Sequence, residues 1–118
     1  MNAETLRELC LSFPYVTEDL PFGPETVVFR IAGKIFLLVS LDSEVFSFNV
    51  KCDPELAVTL REKYPNVVTP GYHMSKKHWN TIKPEISTPN TLLKEWINHS
   101  YQLVFNSLPK KTRDALLP

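Results

Sequence analysis

Apolar residues recur at steps of three and four near the start of the chain, where Leu6, Leu9, Cys10 and Phe13 share one face. That spacing predicts an amphipathic helix. Asn2 opens it, because its side-chain oxygen can accept from an unpaired first-turn amide, and Pro14 closes it. Tyr15 to Glu25 contains Pro21, Phe22, Gly23 and Pro24, which predicts an irregular connection with Phe22 as a packing plug. The period then changes to two. Val27, Phe29 and Ile31 alternate with Thr26, Val28, Arg30 and Ala32, and Gly33-Lys34 forms a short turn. Lys34 to Ser40 is apolar on both faces, as a central strand would be. Beyond the turn at Leu41-Asp42-Ser43-Glu44, Phe46, Phe48 and Val50 face one way while Ser47, Asn49 and Lys51 face the other. The three strands make an antiparallel meander.

The second half repeats the change of period. Asp53 is a helix cap and Pro54 a first helical residue, where the missing N–H costs nothing. Leu56, Leu60 and Tyr64 form the apolar stripe of this helix, Arg61, Glu62 and Lys63 its wet side, and Pro65 its end. Val67 and Val68 begin an extended piece. Trp79 to Lys83 reads as a further strand with Trp79, Thr81 and Lys83 on one face. Thr88 should cap the longest helix and Pro89 start it, with Leu93, Ile97, Tyr101, Val104 and Leu108 on its buried side. Pro109 breaks that helix, and Lys110 to Leu117 is a short terminal helix or frayed tail.

The order helix, three strands, helix, two strands, helix implies an α+β fold: an antiparallel sheet with helices on one face and a more open second face. At 118 residues, 43% of them hydrophobic, one domain over residues 1–118 is expected to form a proper core. No apolar run approaches the roughly 18–20 residues of a membrane-spanning helix. Glu4, Arg7 and Glu8 stand where a secretory leader would be basic and then apolar, so the cytoplasm is the expected compartment.

Charge alters this picture by its distribution. Thirteen basic and thirteen acidic side chains cancel, yet Lys63 to Pro84 holds four lysines, two histidines and no carboxylate. Within it, Pro70 to Lys83 concentrates Tyr72, His73, Lys76, Lys77, His78, Trp79 and Lys83. Such cations can neutralise phosphates, and the aromatics offer stacking faces. Lys34, Lys51 and Arg30 would add charge from the sheet. Other chemistry finds little support. Three glycines supply no nucleotide cradle, and no serine stands in a nucleophile-elbow context. His73, His78 and Cys52 do not make a metal set, because no nearby carboxylate completes one. Cys10 and Cys52 read as free, buried thiols. Catalysis is disfavoured, and no cofactor is expected.

Several stretches together carry a resemblance. These are Pro21-Phe22-Gly23-Pro24, Val28 to Phe36, Lys51 to Glu55, Pro70 to Ile82 and Ser100 to Val104. In them the chain resembles the MmcQ/YjbR family of small bacterial proteins, over nearly its whole length. The resemblance implies a secretion-chaperone-like α+β fold and a double-wing, predicted DNA-binding function. The expected DNA contacts are Arg30, Lys34, Lys51, Tyr72, His73, Lys76, Lys77, His78, Trp79 and Lys83. Two alternatives stand beside that: a protein partner on the exposed sheet, or a small molecule between the connection before Thr26 and the Tyr72–Trp79 turn.

Overall fold

The computed structural model describes residues 1–72 and 74–116. His73, one of the expected DNA contacts, lies outside the described residues. The elements run α1 (Ala3–Ser12), β1 (Val16–Asp19), β2 (Thr26–Ile31), β3 (Lys34–Ser40), β4 (Phe48–Lys51), α2 (Pro54–Lys63), β5 (Val68–Pro70), β6 (Trp79–Ile82), α3 (Asn90–Ser107) and α4 (Lys110–Leu116). The six strands form one antiparallel sheet in the order β1-β2-β3-β4-β6-β5. The expected α+β architecture is therefore present, with one strand more than the hydrophobic pattern predicts. Val16–Asp19 lies in what reads as irregular chain, and pairs along β2 as an edge strand.

Register assigns each side chain to a face. Phe29, Leu37, Val39, Phe48, Val50 and Ile82 point to the helices and are buried with Leu6, Leu93, Ile97 and Val104. A bulge between β2 and β3 pairs Phe29 with Leu37 but Arg30 with Ile35, leaving Phe36 as the extra residue. Phe36 is thereby fully buried next to Leu37, edge-on to Tyr101 at 5.5 Å. The bulge also disturbs the β3–β4 ladder, and Ser100 of α3 repairs it. Its hydroxyl donates to Phe36 O and accepts from Lys51 N at 2.9 Å, so both main-chain groups are satisfied. The turn between β2 and β3 needs positive φ at both central residues, and Ala32 (49°) and Gly33 (84°) adopt it.

Capping follows the sequence at two helices and departs from it at the third. Asn2 and Thr5 form a reciprocal capping box on α1, and Asp53 accepts from Glu55 N and Leu56 N at the start of α2. α3, in contrast, begins at Asn90 with Pro89 as its cap residue and no side-chain cap. The Thr88 hydroxyl instead accepts from Glu85 N at 3.0 Å, closing the preceding turn.

Candidate functional site

Sheet register organises the second face into rows. One row crosses Thr17, Arg30 and Ile35, and at the same end of the sheet Lys51 pairs with Trp79. The next runs Asp19, Val28, Leu38, Asn49, Thr81 and Thr69. Val28 and Leu38 lie on this second face and are nevertheless buried. Two connections border that side, the proline-bounded loop at Phe22 and the one that carries Tyr72 and Met74, and these three residues line one concavity with Leu38.

The second connection is held at several points. Gly71 N donates to Trp79 O at 2.9 Å, continuing the ladder past β5. A Cβ on Gly71 would stand 2.8 Å from the Trp79 Cβ, so only glycine allows this approach. Tyr72 N donates to the Thr81 hydroxyl at 3.0 Å, and that hydroxyl donates to Asn49 Oδ1. A further turn carries Lys76, Lys77 and His78, with Trp79 N donating to Ser75 O at 2.9 Å.

Arg61 fastens that turn from below. Its Nε donates to Asn80 Oδ1 at 2.7 Å, and its Nη2 to Trp79 O at 3.2 Å and to Lys76 O. The sequence assigns Arg61 to the wet side of α2, and the structure overturns that. The missed signal is spacing: Ala57, Leu60, Arg61 and Tyr64 fall at steps of three and four, so Arg61 lies on the buried stripe.

The expected DNA contacts divide into groups. Lys76, Lys77 and His78 are exposed together, and Lys51 and Lys34 emerge at the same end of the sheet. None of these five takes part in a salt bridge among the described residues. Trp79 is half-buried in the row beside Lys51. Arg30 is not free charge: its Nε contacts Asp19 at 3.1 Å and its Nη1 donates to Gly33 O. Lys83 stands four residues beyond Trp79, about 13 Å along β6 at the usual strand rise, so it does not join the Lys76–Lys77 group. Lys83 instead lines a concavity of about 590 Å3 with Ser40, Asp42, Asn49, Tyr72 and Thr81. Ser40, Asn49 and Tyr72 also border a neighbouring concavity of about 510 Å3, walled by Phe22, Leu38 and Met74. Phe22 is 66% exposed there, which corrects its expected role as a buried plug.

Among the described residues no group of three His, Cys, Asp or Glu side chains could hold a metal ion. Cys10 and Cys52 are free and buried, with burial pushing their thiols up to about 12 and about 11. No helix among the described residues is long and apolar enough to cross a membrane.

Comparison with known proteins sets this geometry in a lineage. A YjbR family model matches residues 11–103. The uncharacterised protein YbdF of Escherichia coli O157:H7 is 41% identical over 115 residues, spanning 98% of this chain and 93% of its own length. The uncharacterised protein YjbR of Escherichia coli K12 is 26% identical over 117 residues, spanning 99% and 98%. Among solved structures, Deinococcus radiodurans protein DR2400, a DUF419 domain, superposes with a TM-score of 0.92 at 33% identity. That match covers 99% of this chain and 89% of the other. A Pseudomonas syringae protein gives 0.76 at 26% identity, covering 88% and 99%.

Proposed function

The chain belongs to the YjbR family, and on that premise we propose that it is a non-catalytic DNA-binding module whose contact surface is the lysine-bearing end of the sheet. One observation carries the reading. Lys76, Lys77 and His78 are exposed on one anchored turn, at the end where Lys51 and Lys34 emerge, and no described carboxylate pairs with them. A turn anchored by Arg61 holds its charges at fixed spacing, which lowers the ordering cost of docking on a phosphate backbone. Trp79 beside Lys51 offers an apolar edge to the sugar or base. Lys83 and Arg30 play no part in this surface, one for its distance and the other for its bond to Asp19.

Fluorescence anisotropy with a labelled DNA duplex tests the reading. With about three or four phosphates engaged, log affinity should fall with log salt at a slope near −3. The paired change Lys76→Ala and Lys77→Ala should remove about two units of that slope, and Lys83→Ala none. A flat titration, or equal slopes for all three proteins, defeats the proposal.

A further inference from the structure

We propose that the second face of the sheet carries a small-molecule site, between the Phe22 connection and the Tyr72 arch, for a flat apolar or aromatic body bearing one anionic group. The site is separate from the proposed DNA surface, since Lys51, Lys76 and Lys77 do not line it.

Two large rings stand at its rim. Phe22 is 66% and Tyr72 71% exposed, although burial of such rings is ordinarily strongly favourable. Both are carried by connections with main-chain anchors. Leu41 N donates to Glu25 O at 2.7 Å and ties the Phe22 connection to the end of β3, while Thr81 and Asn49 hold the Tyr72 backbone. Between the rings the floor is Leu38, and the space is about 510 Å3, the size of a drug-like ligand. A planar apolar group fits these walls, because it buries exposed apolar surface of both side chains at little cost in its own conformational freedom.

The adjoining concavity of about 590 Å3 supplies the other half. Most of the residues that line it are polar, and its cation is Lys83, which has no salt-bridge partner among the described residues. The charge of Lys83 selects an anionic group. Asp42 lines the same space, its carboxylate accepting from the Ser40 hydroxyl at 2.7 Å. A second negative charge on the ligand would meet that carboxylate, so the class is a monoanion such as an aromatic carboxylate or sulfonate.

The test uses 1-anilinonaphthalene-8-sulfonate, an aromatic monoanion, and uncharged N-phenyl-1-naphthylamine, followed by fluorescence and by amide shifts in the native protein. Saturable one-to-one binding of the sulfonate is expected, with shifts at Leu38, Asn49, Tyr72 and Lys83. Lys83→Met should weaken the sulfonate about tenfold and leave the amine unchanged. Phe22→Ala should weaken both probes, and the Lys76→Ala, Lys77→Ala protein should bind the sulfonate as the parent does. A thermal melt of each variant confirms that it is folded. The proposal is overturned if the shifts spread over unrelated apolar patches, if Lys83→Met binds the sulfonate unchanged, or if the lysine-pair variant loses it.

Discussion

Ser100 is a single hydroxyl on which the centre of the sheet depends. The bulge that buries Phe36 leaves the Phe36 carbonyl and the Lys51 amide without strand partners, and the hydroxyl donates to the carbonyl and accepts from the amide. Ser100 itself is fully buried, so no water replaces it. Ser100→Ala removes little volume but strands two main-chain groups, and should cost about 2 kcal/mol or more in chemical denaturation. Ser100→Cys keeps a weak donor and should fall between the two. If Ser100→Ala unfolds at the same denaturant concentration as the parent, the bulge is not stabilised in this way. The sequence gives no hint of this role, because a serine on the buried face of a helix carries no partner in its own pattern. The partners are 49 and 64 residues away.

At the scale of elements, local periodicity located the helices and most strands, and long-range contacts decided the rest. Asp53 and Pro54 are legible because the cap and its amides are neighbours in sequence. β1 is not, because Val16–Asp19 is a short edge strand holding two acids, with Tyr15 before it at positive φ. It is held by its ladder with β2, and by Arg7 of α1 on Glu18 and Arg30 of β2 on Asp19, and neither ion pair is visible to a window of ten residues. The place of the groove was readable, between the connection before Thr26 and the Tyr72–Trp79 turn, but its walls were not, since Phe22 and Tyr72 are 50 positions apart and come to one concavity only across the sheet. The basic turn was readable as composition, and its geometry was not, since Arg61 comes from the preceding helix. Arg61→Gln should therefore act on the turn before the fold. Amide exchange at His78 and Trp79 should quicken well beyond that at Val50, and DNA affinity should drop with the salt slope unchanged. Loss of slope would make Arg61 a phosphate contact instead.

For the whole molecule, zero net charge conceals an arrangement: ion-paired acids lie on the β1 edge, while Lys51, Lys76 and Lys77, with no salt bridge among the described residues, lie towards β4 and β6. Net charge thus says little about partners, whereas the titration of buried groups says a good deal about stability. Burial raises the Cys10 thiol to about 12, and burial, then the charge of Asp53, raises Cys52 to about 11, both from an ordinary 9.0. Tyr101 is also raised, chiefly by burial, and its hydroxyl donates to Pro14 O. These groups sit on α1, after β4 and on α3, so their ionisation opposes the packing of helices on the sheet as a unit. Below about pH 8 both thiols keep their protons, folded or unfolded, and they impose little pH dependence. Above it the unfolded chain releases protons that the fold retains, so stability falls as pH rises towards 11 for Cys52 and 12 for Cys10. Each unit of pH across that window should cost about 1.4 kcal/mol per titrating thiol. Urea unfolding at steps from pH 8 to pH 11 should show this decline. The Cys10→Ala, Cys52→Ala protein should start less stable and decline less steeply, with Tyr101 supplying what slope remains. A thiol reagent at pH 8 should find neither cysteine in the native protein and both in denaturant. Immediate reaction of the native thiols, or equal slopes in the two proteins, would mean that burial of these groups does not govern the alkaline limb.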